Sequence, residues 1–325
     1  MSEYEPPCRL TEMMMSLVAD ISEQLGRFSV PRQDSIHLQH RNRIRTIHST
    51  LAIENNSLSV RQVTAILDGK RVSGPADEIR EVQNAGAVYA RIRELNPFRV
   101  QDLLRAHALM TEGLIAESGR FRSGAVGVTD GERLIHLAPP AVLVPTHISQ
   151  LLAWYQESTL HPLIKSAVFH YEFEFIHPFA DGNGRIGRLW HSLLLGQWRE
   201  LFLFLPMEEL LLSRLEDYYR ALSLAGKRGE CSCFAELMLQ VIRDTLLLRA
   251  QEAREDSPRR PEHPLCAVMK AGEELSVTEL MERMGLSHRT HFRRAYLAPA
   301  LEQGLVERTL PDSPRSPKQR YRLKG

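Results

Sequence analysis

A chain of 325 residues with 41 Lys or Arg against 40 Asp or Glu is almost neutral, so no overall field draws it to nucleic acid or to a membrane surface. Its hydrophobic content of 43% and charged content of 25% are those of a globular protein, and the length exceeds what one core usually serves, so two folded units are expected. The start, with Glu3 and Glu5, lacks a secretory signal pattern and the apolar runs are too short to span a membrane; Cys8, Cys231, Cys233 and Cys266 lack zinc-site or disulfide-framework spacing, which points to free thiols in the cytoplasm.

Taken in chain order, the residues from His40 to Ile53 place Ile44, Ile47 and Leu51 on one face, with Arg41, Arg43 and Arg45 elsewhere, an amphipathic helix. Ser59 with Gln62 forms a capping box for the next helix, which ends around Asp68-Gly69. Helices are predicted over 79–95, 101–117, 146–158, 162–175, 184–200, 207–225 and 230–253. Only 120–138 reads as extended: Val126, Gly127 and Val128, a polar turn from Thr129 to Glu132, then Leu134 and Ile135. The Asp130-Gly131 pair favours a hairpin. The fold class is therefore mainly α with one hairpin, divided into an N-terminal helical region (1–95) and a core (96–253).

The composition changes at 254–264, where Pro258, Pro261 and Pro264 among charges mark a linker. Residues 265–325 form a second, smaller unit. Ser276 and Glu279 cap a helix to about Met284, Gly285 and Leu286 make the turn, Ser287 caps a second helix through Arg294, and Gly304 closes the one after Pro299. Leu305-Val306-Glu307 and Tyr321-Arg322-Leu323 then read as strands. Helix, turn, helix, hairpin is the order of a winged helix. Residues 283–325 hold ten Lys or Arg against three Asp or Glu. The second helix would expose His288, Arg289, Thr290, Arg293 and Arg294, a set suited to the phosphates and groove edges of DNA. Such modules also dock proteins, and the sequence leaves both open.

The most informative run is 177–188, His-Pro-Phe-Ala-Asp-Gly-Asn-Gly-Arg-Ile-Gly-Arg, leading into the apolar stretch Leu189–Leu195. A Gly-rich turn opening a helix leaves backbone N–H groups unpaired at the positive end of the dipole, a place for phosphate. Asn183 can start the helix or hold an oxygen, and Asp181 is a hard oxygen ligand suited to magnesium. Arg185 and Arg188 lie three apart and reach one side of a helix. His177 stands where an imidazole can take a proton from an attacking hydroxyl. Each part has an ordinary reading as turn, core histidine or solvated face; twelve consecutive residues in this order compose one phosphate site with a base beside it.

This run resembles the signature of the Fic family, HPFxDGNGRxGR, at every fixed position. The resemblance implies a Fic-type helical bundle and transfer of AMP from ATP to a Ser, Thr or Tyr hydroxyl of a target protein. It implies His177 as general base, Asp181 as Mg2+ ligand, Asn183, Gly184 and Arg185 as an anion hole for the α- and β-phosphates, and Arg188 as γ-phosphate clamp, with Gly187 completing the nucleotide loop and Phe179 anchoring it. Tyr218 and Tyr219 are similar to positions around adenine, with core packing as the alternative. The hairpin resembles the family's flap, which would pair with an extended target segment through Val126, Gly127, Val128, Leu134 and Ile135.

Residues 49–56, Ser-Thr-Leu-Ala-Ile-Glu-Asn-Asn, are similar to the (S/T)xxxE(G/N) helix of autoinhibited Fic proteins through Thr50, Glu54 and Asn55. There the glutamate pairs with the second arginine of the signature, here Arg188, and removes the γ-phosphate contact. The resemblance also admits AMP removal, with Glu54 positioning water, and homodimer formation. A reading from another class is a nucleotide-sensing, DNA-binding regulator, although a sensor has no use for His177.

Overall fold

The chain divides into two units, Met1–Ala250 and Gln251–Gly325, in the computed structural model, which describes residues 4–27, 35–130, 133–255, 263–270, 272–314 and 316–324. In the first unit the described elements are α1 (Glu12–Arg27), α2 (Ser35–Ile53), α3 (Val60–Leu67), α4 (Ala76–Ala90) and α5 (Val100–Met110). An antiparallel hairpin, β1 (Gly127–Asp130) and β2 (Arg133–Leu137), follows; Gly131 and Glu132 of the expected turn lie outside the described residues. Then come α6 (Val144–Glu157), α7 (Pro162–Ile176), α8 (Asn183–Trp198), α9 (Met207–Ser213), α10 (Leu215–Arg228) and α11 (Ser232–Glu255).

Helices α7 and α8 form the centre because their apolar residues run around the whole circumference, which suits a helix covered on all sides. Phe169 and Phe173 on α7 and Trp190 on α8 are fully buried, and Trp190 donates from Nε1 to Pro97 O at 3.0 Å. Around this pair, α6 lies against α7, α5 and α2 against α8, and α2 also against α4 and α9. The helix α2 that carries Thr50 is thus held from several sides.

Several helix ends differ from expectation, each through a contact that local sequence does not show. The helix expected over 101–117 stops at Met110. Asn84 Nδ2 donates to Met110 O at 3.3 Å and Glu112 O at 2.9 Å, Thr111 Oγ1 donates to His107 O at 2.8 Å, and Gly113 has φ 72°. The single helix expected over 207–225 breaks at Arg214 (φ −119°), whose guanidinium is drawn to Asp244 at 3.6 Å and Gln240 at 3.3 Å. The helix expected over 79–95 ends at Ala90, followed by a 3-10 turn, Ile92–Glu94. Helix α1 was not expected at all, although Met14, Leu17 and Ile21 form a buried seam at helical spacing.

In the second unit, α12 (Pro264–Val268) and α13 (Val277–Arg283) precede α14 (Arg289–Phe292). Residues 256–262 of the expected linker lie outside the described residues. The Ser276–Glu279 capping box is present, but the N-cap of α14 is His288 rather than Ser287. Nor does α14 end at Arg294: it continues through a π-helical turn, Arg293–Leu297, into α15 (Ala298–Glu302). Pro299 has no N–H for the carbonyl four residues back, and the turn before it widens, with Ala298 N–H reaching Arg293 O. Strands β3 (Val306–Arg308) and β4 (Tyr321–Leu323) pair antiparallel, and Tyr321 also bridges to Leu275. Leu265, Leu280, Phe292, Leu297 and Tyr321 supply this unit's own core. Among the described residues no helix is long and apolar enough to cross a membrane.

Asn84 is 5% exposed and fixes the end of α5, the helix that carries His107 against the signature loop. Asn84→Ala removes the donor from the buried Met110 carbonyl and from that of Glu112, and is expected to destabilise the first unit by about 1–3 kcal/mol, read as a lower denaturant midpoint with unchanged slope.

Candidate active site

The loop between α7 and α8 is built by closing a short reversal between two buried helices. His177 ends α7 in the left-handed region (φ 50°, ψ 63°), its N–H donating to Phe173 O at 2.9 Å. Asn183 Oδ1 accepts from Phe179 N and its Nδ2 donates to Phe179 O, both at 2.8 Å, so one side chain binds both polar groups of one residue. Phe179 is thereby turned inward, fully buried, and stacked on His107 with ring centres 3.7 Å apart and planes at 3°. His107 Nδ1 accepts from Gly119 N–H at 3.0 Å, so its proton sits on Nε2, which donates to Asp181 O at 3.0 Å. Burial lowers the pKa of His107 and keeps this tautomer neutral.

Gly182 is the N-cap of α8 with φ 82°, and no side chain caps that helix. The opening N–H groups of α8 therefore have no helical acceptor, and the positive end of the dipole lies there. A carboxylate fills this position. A Cβ on Gly184 would collide with Glu54 Oε1, and Arg188 donates to the same oxygen at 2.7 Å. Arg188 is 2% exposed; its Nε donates to Thr50 Oγ1 at 2.9 Å and a terminal nitrogen to Thr50 O at 3.0 Å. Burial works against its charge, but the Glu54 carboxylate and the other anionic neighbours outweigh burial and raise its pKa.

The end of α2 explains why an asparagine follows Glu54. Asn56 N–H donates to Leu51 O at 3.1 Å and Asn55 N–H to Ala52 O at 3.0 Å, a Schellman turn with Asn55 left-handed at φ 68°. Few residues other than Gly and Asn accept that conformation. The turn leads on to the other arginine: Asn56 Nδ2 donates to Glu81 Oε2 at 2.8 Å, and Arg185 donates to Glu81 Oε1 at 2.8 Å and to Asp181 Oδ2 at 3.2 Å. Both arginines of the run are thus paired with carboxylates.

His177 is half-buried, and its Nδ1 is buried without a hydrogen-bond partner. Burial lowers its pKa below the usual 6.5, opposed by the Glu174 carboxylate one turn earlier on α7. Burial raises Glu174 to about 7, while His177 and Arg188 pull it down. Glu174 packs on Gly187, where a Cβ would lie 2.5 Å from Oε1, so Gly187 faces α7. Behind it, His170 Nε2 lies 3.7 Å from Glu174 Oε1 and 3.2 Å from Tyr218 Oη, and burial lowers His170 to about 3.

The structure brings Thr50, Glu54, Asn55, Arg188 and the backbone of Gly184 to one place, with Arg185 paired to Asp181 beside it. Tyr218 is 2% exposed and packs in the core, with Tyr219 edge-on at 5.5 Å. The Asn183 side chain is consumed by loop closure, which leaves its backbone N–H as the group that can face a ligand. Arg289, Thr290, Arg293 and Arg294 are all exposed in the second unit. Sequence reasoning missed Glu81, His107, Arg122 and Glu174. Of these only Glu174, three residues before His177, carried a local signal: a carboxylate within an apolar helix.

The sequence profile of the Fic/DOC family matches residues 97–195, and that of "Filamentation induced by cAMP protein Fic-like, C-terminal domain" matches residues 263–324. The curated "Protein adenylyltransferase fic-1" of Caenorhabditis elegans is 30% identical over 217 residues, 60% of this chain and 41% of that protein. "Protein adenylyltransferase Fic" of Drosophila melanogaster is 27% identical over 244 residues, 71% of this chain and 46% of that protein. The chain thus matches less than half the length of these relatives. A solved fragment of C. elegans Fic-1 shares the fold, with a TM-score of 0.64 at 22% identity over 76% of this chain and 73% of that one. The crystal structure of a Fic family protein from Desulfovibrio desulfuricans G20 is similar throughout, with a TM-score of 0.74 at 48% identity over 99% of each chain. On that full-length likeness and the signature geometry, the chain belongs to the Fic family.

Proposed function

We propose that the chain transfers AMP from ATP to a hydroxyl of a protein and is held inactive by Glu54. One observation carries this reading: the Glu54 carboxylate lies over Gly184 at the uncapped start of α8 and on Arg188, where a nucleotide phosphate would sit. A side chain that mimics the anion marks the site as built for one. With Glu54 withdrawn, Arg188 and the opening N–H groups of α8 receive the polyphosphate. The target hydroxyl attacks the α-phosphorus, the new O–P bond forms as the bond to the β-phosphate oxygen breaks, pyrophosphate leaves, and His177 takes the hydroxyl proton. The hairpin is suited to hold an extended target segment by strand addition.

Asp181 fits a role in magnesium binding. Its side chain is 57% exposed and presents hard oxygens beside the arginines. Among the described residues no group of three or more His, Cys, Asp or Glu could hold a metal, so an ion would arrive with the nucleotide and share Asp181 with phosphate oxygens. Bound there, magnesium would neutralise charge that develops on the phosphates.

The second unit favours a further partner. Arg289, Arg293 and Arg294 are exposed and form no ion pair with any described residue, which suits a phosphate backbone and fits a winged-helix reading. If duplex DNA binds there, log affinity should fall with log salt with a slope of roughly −3, and Arg293→Ala should reduce that slope by roughly 1; an affinity flat across salt overturns this reading.

Glu54→Gly is expected to raise AMP labelling of protein from α-labelled ATP and magnesium by roughly 10- to 100-fold, the release of about 1.4–3 kcal/mol of competing pairing. His177→Ala in the same background should lose about 10²–10⁴ of that rate while still binding ATP. A Glu54→Gly protein that labels nothing, itself included, defeats the proposal.

The pH dependence follows from the buried imidazole. Transfer needs neutral His177, burial moves its pKa down, and loss of Glu54 removes a charge that favours the imidazolium. The acid limb of the labelling rate in Glu54→Gly should therefore lie below pH 6.5. A limb above neutrality in kcat/KM for ATP, which reports the nucleotide-free protein, contradicts the assignment of His177 as base.

A further inference from the structure

Arg122 is 3% exposed, and among the described residues no carboxylate pairs with it. Its guanidinium donates instead to four backbone carbonyls. Nε reaches His177 O at 2.7 Å, one terminal nitrogen reaches Gly124 O at 2.9 Å, and the other reaches Pro139 O at 2.6 Å and Ile176 O at 3.2 Å. Its backbone N–H donates to Pro178 O at 3.0 Å. Gly124 precedes β1 and Pro139 follows β2, so they are the two feet of the hairpin. Ile176 and His177 end α7, where carbonyls lack helical donors and the dipole is negative. Only a planar fork with donors on three nitrogens reaches four acceptors in such different directions; an ammonium carries all its hydrogens on one atom.

We propose that Arg122 is a positioning residue that locks both feet of the hairpin to the end of α7, so that a target segment on the hairpin and the imidazole of His177 keep one register. This rests on the AMP-transfer reading above. His177 requires such a lock because a residue with a side chain stays in the left-handed region only under constraint, and Arg122 holds its carbonyl. The arrangement also explains a buried cation without a counter-ion among the described residues: its donors are consumed by carbonyls to which no other described group donates. The charged groups facing the His177 ring are Glu174 on α7, Arg122 before β1 and Glu54 at the end of α2. Burial and Arg122 favour the neutral imidazole, and the two carboxylates favour the charged one.

The test uses the full chain in the Glu54→Gly background with Arg122→Lys and Arg122→Met. Three quantities are measured: self-labelling from α-labelled ATP with magnesium, binding of a fluorescent ATP analogue, and titration of the His177 imidazole by NMR. The His177 resonance is identified by its absence in His177→Ala. Both Arg122 variants should bind nucleotide as the parent does yet label about tenfold more slowly or worse, since misplacement rather than lost binding limits them. The His177 titration should move to higher pH in Arg122→Met and stay in place in Arg122→Lys, which keeps the charge. Labelling at the parent rate in both variants overturns the proposal, as does labelling and nucleotide binding lost together, which would mean that Arg122 only supports the fold. Should Arg122→Met fail to fold, Arg122→Lys decides by the same split between rate and binding. A Glu54→Gly parent that does not label defeats AMP transfer instead, and the His177 ring resonance then decides on Arg122: displaced in both variants if Arg122 positions the ring, at the parent position in both if it does not.

Discussion

The closure of the α7–α8 loop by the Asn183 amide is the constraint on which the site depends. Two helices buried on nearly every face are joined by six residues, 177–182, and the chain must reverse without leaving buried polar groups unmet. One carboxamide satisfies both polar groups of Phe179, and left-handed residues at both ends, His177 and Gly182, make the turn. The phenyl ring is sent inward onto His107, and the same turn directs the Asp181 carboxylate outward. On the proposed reading the base therefore ends one helix and the phosphate donors begin the next, so the spacing between them is set by packing rather than by a mobile loop.

The buried charge of Arg188 adds a second demand. A guanidinium this deep costs several kcal/mol unless an anion and hydrogen-bond acceptors meet it. Thr50 on the last turn of α2 and Glu54 just past its end supply both. The Schellman turn that ends α2 then sends Asn56 to Glu81, which holds Arg185. One turn of chain thus touches Arg188 directly and Arg185 through Glu81; displacing it would take the carboxylate from Arg188, while Arg185 keeps Glu81 and Asp181. An anion that enters must replace the lost pairing, and a polyphosphate can meet two guanidinium groups at once.

What was legible in the sequence follows from what is local. The run 177–188 could be read because all of its groups lie within one turn and one helix start. Thr50, Glu54 and Asn55 were legible through family likeness, while the reason for Asn55 is conformational and appears only in its backbone angles. Glu81, His107 and Arg122 come from segments 55 to 104 residues away from their partners in the run and carry no spacing that marks them. Helix ends failed for the same reason. Met110 is a terminus because Asn84, on another helix, takes the carbonyls beyond it, and the turn before Pro299 widened where a break was expected.

On the proposed reading, Glu54 opposes transfer in two ways that a neutral plug would not combine. It occupies the guanidinium that would hold phosphate, and its charge favours the protonated imidazole, the form of His177 that cannot accept a proton. Withdrawing one side chain therefore frees the anion site and leaves burial and Arg122 to keep the base neutral. Glu174 then stands as the remaining carboxylate near the ring; burial raises its pKa, and withdrawing Glu54 removes one contribution to that rise. Incoming phosphates raise it further and favour the imidazolium as the proton arrives, so the field that stabilises the product of proton transfer comes with the substrate rather than being stored in the resting protein.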